Sequence, residues 1–163
     1  MSDYVAPLTA VLLPHVGAVV GGIFVQRNLD AWYEGLKYPS WRPPNQILPI
    51  VWTTLYTSMG YASYLVWKDG GGFRGPAALP LAWYGAQLAL SWAWTPIFFG
   101  LRSLKWAFVD GVFLCGGIAG TIYMFYGINK TASYLLLPYL AWATFASTLN
   151  FRIWKDNSDQ KKE

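Results

Sequence analysis

Residues 5–25 read VAPLTAVLLPHVGAVVGGIFV, about 20 residues without one charged side chain. At about 1.5 Å per residue, a helix of that length crosses the roughly 30 Å hydrocarbon layer of a bilayer. Outward from this stretch the pattern recurs. Residues 46–67, 77–101 and 131–151 also lack charge, and residues 106–128 carry one, Asp110. One such run can be the core helix of a soluble domain. Five in a chain of 163 residues leave almost nothing to face water. The runs are continuous rather than alternating, which argues for helices over a β-barrel. Pro7, Pro14, Pro49, Pro80, Pro96 and Pro138 lie inside them; membrane bundles absorb such breakers because neighbouring helices re-satisfy the backbone. The expectation is an all-α integral membrane protein, a five-transmembrane-helix bundle. Its spans fall near 5–25, 46–67, 77–101, 106–128 and 131–154, in a single domain over 1–157, with a charged tail over 158–163.

Composition excludes other classes. Apolar residues are 55% of the chain and charged residues 12%, about half the charged share of a soluble domain. Disorder, collagen and a disulfide scaffold are ruled out. The single cysteine, Cys115, forms no internal disulfide and no thiolate zinc cluster. The single histidine, His15, excludes a multi-histidine metal centre and offers at most one haem ligand. No metal site is expected. The net charge of +4 reflects membrane orientation rather than a nucleic-acid partner.

The connections are short except for residues 26–45. That loop holds Trp32, Tyr33, Tyr38, Trp41, Pro39, Pro43 and Pro44. A loop this long is functional or disordered, and its rings and prolines argue for a lid packed over one mouth of the bundle. Five spans place the termini on opposite sides. One side then holds Arg27, Lys37, Arg42, Arg102, Lys105, Arg152, Lys155, Lys161 and Lys162, the other only Lys68, Arg74 and Lys130. The excess predicts a cytosolic C-terminus and a cytosolic lid. The first four residues lack Lys and Arg, unlike a mitochondrial presequence or a secretory n-region.

Aromatics make up 18% of the chain, a density that needs a reason. Tyr4, Trp67, Trp106 and Trp154 lie near span ends, where rings form interfacial belts. Trp52, Trp92, Trp94 and Trp142 sit deeper, either as packing between helices or as a cavity that stacks on a flat apolar ligand. Gln87, Ser91 and Thr95 share one helix face, as interhelical hydrogen bonds or as the polar wall of a pocket. Asp110 lies about a turn into its helix, where the dipole favours an anion, and Arg102 and Lys105 are close in sequence; a functional carboxylate is the other reading. Asn150 is placed to bond a neighbouring backbone. Gly17 with Gly21, and Gly116 with Gly120, form GxxxG pairs that serve either packing within the chain or a homodimer. The sequence holds no nucleophile with a histidine base, no paired carboxylates in one span and no phosphate loop.

The long loop is the most specific feature. Trp32-Tyr33, Leu36 and Pro39-Ser40-Trp41-Arg42-Pro43-Pro44 resemble the first-loop signature of the translocator protein family, also called tryptophan-rich sensory proteins or peripheral benzodiazepine receptors. The resemblance continues in Val51-Trp52-Thr53-Thr54-Leu55-Tyr56, Met59-Gly60-Tyr61, Trp92-Ala93-Trp94-Thr95-Pro96-Ile97-Phe98-Phe99-Gly100 and Pro138-Tyr139-Leu140-Ala141-Trp142. Asn150 and the ending Trp154-Lys155-Asp156-Asn157 extend it, over about residues 5 to 157, and animal members look most similar.

The resemblance implies a five-helix bundle whose pocket opens under the first loop. It implies ligands as well: cholesterol, protoporphyrin or haem-type tetrapyrroles, and synthetic drugs of the benzodiazepine type. The membrane implied is the outer mitochondrial one, with membrane lipids as surroundings. No cofactor is required; porphyrin enters as a ligand. Carried over by position, the ligand pocket takes Gly22 and Val25 from the first helix and Leu48, Pro49, Val51 and Trp52 from the second. Trp94 comes from the third, Trp106, Val109 and Phe113 from the fourth, and Trp142, Ala146 and Leu149 from the fifth. Spacings of three and four place Trp106, Val109 and Phe113 on one stripe, and Trp142, Ala146 and Leu149 on another. Gly22, Pro49, Val109 and Phe113 depart from the animal pattern and change the pocket's volume. The sterol motif falls on Leu149, Phe151 and Lys155, with Phe where Tyr is expected, so the hydroxyl partner is missing. The same loose pattern matches Leu29, Tyr33 and Lys37 in the loop.

Three functions follow from these residues. The leading one is a membrane receptor or carrier for sterol and tetrapyrrole, with lid opening as the exchange step. The second is a light-dependent porphyrin-degrading enzyme that uses Trp52 and Trp142. The third is a dimeric scaffold acting through small-residue faces and the charged tail.

Overall fold

The computed structural model describes residues 2–28 and 31–158. The final residues of the charged tail, 159–163, and positions 29 and 30 of the long loop lie outside the described residues. The elements are α1 (Ser2–Asn28), α2 (Ala31–Glu34), α3 (Ile47–Asp69), α4 (Ala78–Thr95), α5 (Leu104–Tyr126), α6 (Lys130–Leu135) and α7 (Leu137–Ser158). A 3₁₀ turn at Gly72–Arg74 and a π-turn at Pro96–Gly100 complete the list. No strand occurs among the described residues. Five of the helices are 18 residues or longer. Among the described residues, two segments, Asp3–Asn28 and Leu104–Tyr126, combine length and hydropathy sufficient to cross a membrane.

Proline decides where the apolar runs deviate from straight helix. Pro96 has no N–H to give the preceding turn, and the chain widens there: the Leu101 N–H donates to the Pro96 carbonyl across five residues (3.0 Å). Arg102 then adopts a left-handed φ of 50°. Ser103 caps α5 by accepting from the Trp106 N–H at 3.2 Å. Pro138 interrupts the last apolar run, which is two helices, α6 and α7, rather than one. Its ring opposes the carbonyl four residues back, and the chain turns at Leu136. Asn129 caps α6, accepting from the Ala132 N–H (2.8 Å) and donating to Asp69 Oδ2 (2.6 Å).

Helix α1 lies along α3 and the end of α4. Helix α4 packs on α5, α5 on α7, and α6 fills the space between α3 and α5. Helices α3 and α7 meet sparsely, and the ring contact of Trp52 with Tyr139 (6.3 Å) bridges them. Glycine permits the closest approach. A Cβ on Gly60 would stand 2.5 Å from the Ala10 carbonyl, an oxygen that Pro14 cannot serve as a donor. Gly17 makes room for the Trp92 indole, Gly21 lies against Thr95 and Gly120 against Trp83, whereas a Cβ at Gly116 meets nothing within 4 Å. Three of the four GxxxG glycines are therefore occupied within the chain.

The outer face of α1 is apolar apart from Thr9: Val5, Leu8, Leu12, Val16, Val19, Val20 and Ile23 are exposed. A continuous apolar surface of this extent is suited to lipid or to a partner rather than to water. The main core joins α3, α4, α5, α6 and α7 around Met59, Ile118, Phe125 and Tyr139. A second cluster, built on Phe98, Phe99 and Ala107, sits under the long loop.

Candidate ligand-binding site

The long loop folds onto the bundle through its rings. Trp32 of α2 meets Phe98 edge-on at 5.9 Å, and Tyr33 lies 5.3 Å from Phe99. Those phenylalanines are presented by the π-turn, and Trp94 stacks on Phe98 at 4.7 Å. The loop is also braced internally. Arg42 Nη2 donates to the Tyr33 hydroxyl (2.7 Å) and to Asn45 Oδ1 (2.6 Å), while its guanidinium sits 3.9 Å over the Tyr38 ring. The Tyr38 hydroxyl donates to the Tyr33 carbonyl at 2.6 Å. Burial, followed by Tyr33, pushes the Tyr38 phenol above its ordinary range, against the opposing charge of Arg42. Tyr38 therefore serves as a neutral donor.

Two further contacts hold the loop over the bundle. The Lys37 N–H donates to Asn157 Oδ1 (2.9 Å), and Asn157 Nδ2 donates back to the Lys37 carbonyl (3.1 Å). Trp41 rests on Phe145 at 5.7 Å, and Phe145 on Trp142 at 5.4 Å. A file of rings thus runs from the loop to the interior face of α7.

The residues singled out from sequence fall into four groups. Val25 and Trp94 join the cluster beneath the loop. Val51, Trp52 and Trp142 pack against the main core, with Trp52 5.4 Å from Tyr56. Leu48, Val109, Ala146 and Leu149 are half-buried. Gly22 and Pro49 are exposed, as are Trp106 (58%) and Phe113 (65%) on the outer face of α5. The structure does not bring these last two to the interior. The inward stripe of α5 is Ala107, Asp110, Gly111, Leu114, Ile118, Thr121 and Phe125. Trp106 and Phe113 precede members of that stripe by one residue, about 100° around the helix.

Of the sterol-motif residues, Phe151 and Lys155 face outward. Phe151 packs on Phe108 (5.1 Å) and Trp154 (6.0 Å). It borders a shallow groove of about 370 Å³ between α5 and α7, floored by Cys115, Thr144, Ser147 and Thr148. A second groove of about 200 Å³ lies between α1 and α4, along Gly17, Gly21 and Trp92. Phe151 apart, none of the residues carried over from the resemblance lines either groove. The loop's second match to the motif begins at Leu29, outside the described residues; its Tyr33 is part of the brace described above.

The polar side chains within the apolar runs differ in how they are paired. Ser91 forms an interhelical hydrogen bond with Tyr56 (3.0 Å), and Thr95 packs on Gly21. Gln87 is buried with neither amide atom paired. Asp110 is buried too, and its Oδ2 has no hydrogen-bond partner. Asn150 does more than its position predicts. It donates to the Leu104 carbonyl (2.9 Å) and accepts from the Trp94 indole N–H (3.1 Å), so it ties three helices together. His15 bonds Thr57 Oγ1 at 3.0 Å and meets the Tyr56 ring edge-on, a packing position. The pairing of Asn157 with the loop had no sequence signal beyond its place in the familiar ending.

Comparison with known proteins finds relatives over most of the chain. A family model described as TspO/MBR family matches residues 10–155. The Translocator protein of Homo sapiens is 51% identical over 146 residues, covering 90% of this chain and 86% of the relative. Translocator protein 2 of Canis lupus familiaris is 43% identical over 148 residues, 90% of this chain and 86% of the relative. Protein CrtK of Rhodobacter capsulatus is 37% identical over 142 residues, 86% of each.

Proposed function

This chain belongs to the TspO/MBR family, and on that premise we propose that it is a membrane receptor or carrier for flat, largely apolar ligands. Sterols and tetrapyrroles are the natural ligands of this reading, and benzodiazepine-type drugs are synthetic ones. The ligand lies in an aromatic chamber between α3 and α7, closed by the first loop. All five long helices are spans, the membrane is the outer mitochondrial one, and the C-terminus faces the cytosol together with the loop.

The observation that carries this reading is the file of rings from Trp41 through Phe145 to Trp142. Trp52 stands across the sparse α3–α7 seam. Aromatic faces on both sides of a seam suit a flat ring system. The seam is bounded by few backbone contacts and can widen without breaking the tight α4–α5–α7 packing. The loop would swing as a unit because its Arg42–Tyr33–Tyr38 brace is internal. Exchange then requires release of Asn157 and Trp41, together with parting of Trp32 and Tyr33 from Phe98 and Phe99.

A competition experiment tests the shared chamber. A fluorescent sterol bound to the protein in nanodiscs should be displaced by protoporphyrin in the dark, with one apparent site. Independent, additive binding of the two would contradict a single chamber.

A further inference from the structure

The interior of the bundle holds a group of polar side chains that the ring file does not use. The hydroxyls of Tyr84 and Tyr139 and both amide atoms of Gln87 are sealed from the surface and reach no hydrogen-bond partner. Gln87 is 1% exposed and Tyr139 0%. Such atoms are rare in native interiors, and each requires a physical account. They are also grouped. Tyr84, Gln87 and Ser91 are spaced three and four apart, so they share the buried face of α4. The Tyr139 hydroxyl approaches that of Ser91, and the Tyr84 hydroxyl that of Ser63, without reaching hydrogen-bond geometry. Ser91 and Tyr56 already hold each other at 3.0 Å, which leaves Tyr139 beside the pair but outside it. Trp52 contacts both Tyr56 (5.4 Å) and Tyr139 (6.3 Å), so the group lies against a ring of the α3–α7 seam.

The chemistry of the group selects its guest. None of the five side chains is charged at neutral pH, so an ion would be buried among them without a counter-charge. A carbonyl accepts only and would leave Gln87 Oε1 without a donor. A neutral hydroxyl both donates and accepts, and can serve the amide and a tyrosine together. We propose that Tyr56, Tyr84, Gln87, Ser91 and Tyr139 form a buried site for one neutral hydroxyl group, supplied by water or by the alcohol end of a lipophilic guest. The guest source rests on the chamber reading above; the water source does not.

Three measurements on the full chain in nanodiscs test this. The first is the melting temperature of Tyr139→Phe and of Gln87→Leu. Loss of a satisfied hydrogen bond lowers it, by about 2–4 °C for each kcal/mol in a chain of this size. Removal of an orphaned polar atom raises it. The second is a nuclear Overhauser cross-peak from water to the Gln87 side-chain amide. The third compares 1-pyrenemethanol with 1-methylpyrene by energy transfer from tryptophan. If the guest supplies the hydroxyl, Tyr139→Phe weakens the alcohol by roughly three- to tenfold, the range of one neutral hydrogen bond, and leaves the methyl analogue unchanged. A water cross-peak with equal effects on both probes assigns the hydroxyl to water. Raised melting temperatures in both variants, with no cross-peak and no discrimination between the probes, would overturn the site. Failure of both probes to bind counts against the chamber alone, and the site is then decided by the cross-peak and the melting shifts.

Discussion

The side-chain amide of Asn157, near the end of α7, and the peptide unit of Lys37, in the first loop, hydrogen-bond each other in both directions, at 2.9 and 3.1 Å. The two positions are 120 residues apart. Asn157 is itself fixed by donation to the Ile153 carbonyl at 2.7 Å, so the latch is mounted on a helix. Only a carboxamide both donates and accepts in this way at that position. Asn157→Ala should therefore speed ligand release about fivefold, the equivalent of about 1 kcal/mol from two part-exposed bonds, with little change in melting temperature. Asn157→Asp keeps the acceptor and loses the donor, and should fall between. Stopped-flow release from nanodiscs reads both; rates equal to wild type would dismiss the latch.

The same relationship can be locked. Cysteines at positions 37 and 157, in a Cys115→Ser background so that no other thiol competes, can be joined by a short bifunctional maleimide. Release should slow at least about tenfold after crosslinking, as expected when a closing segment limits exchange. Unchanged release from the crosslinked protein would mean that ligand leaves by another route, such as the seam between α3 and α7.

Helix contact through glycine gives a stability prediction with an internal control. Gly60→Ala would push a methyl group to within 2.5 Å of the Ala10 carbonyl and 2.7 Å of the Val11 Cα. Backbone atoms cannot yield as a side-chain tip does, so the substitution should destabilise by about 2 kcal/mol or more. Gly116→Ala, where the added Cβ meets nothing within 4 Å, should be neutral or slightly stabilising through helix propensity. Equal melting temperatures for the two variants would refute the α1–α3 contact.

Asn150 offers a fourth test. Asn150→Leu preserves bulk but leaves the Trp94 indole N–H and the Leu104 carbonyl without their partner. A loss of about 1–3 kcal/mol follows from the unpaired groups. Replacing Trp94 by Phe in the same protein removes one of the two orphans and should recover part of the loss. If the double variant is no more stable than Asn150→Leu alone, the Trp94 bond contributes nothing.

Much of the architecture could be read from uninterrupted apolar runs, because a chain this short with charge so scarce has few alternatives. Breaks within the runs were harder. Pro96 and Pro138 marked where deviation was possible, but not that one gives a π-turn and the other splits a helix. Facing was hardest, and α5 shows why. In a soluble helix the apolar stripe is the buried one. On α5 the exposed residues Trp106, Val112, Phe113 and Tyr123 are as apolar as the buried Leu114, Ile118 and Phe125. The spacing of Trp106, Val109 and Phe113 is therefore a real stripe that does not identify the interior. Small and polar residues do so better: Asp110, Gly111 and Thr121 all lie on the inward face. The loop was legible as a packed element from its rings and prolines, but its latch was not, since Asn157 pairs with backbone and backbone carries no sequence signal.

The most direct test is a dark titration of the protein in nanodiscs with protoporphyrin, read by tryptophan quenching, for the wild type and for Trp142→Ala and Trp52→Ala. Saturable quenching is expected, weakened about tenfold by either substitution, the equivalent of roughly 1.4 kcal/mol of stacking and burial. Quenching that rises linearly with porphyrin and is unchanged in both variants would show partition into lipid, and would contradict an aromatic chamber between α3 and α7.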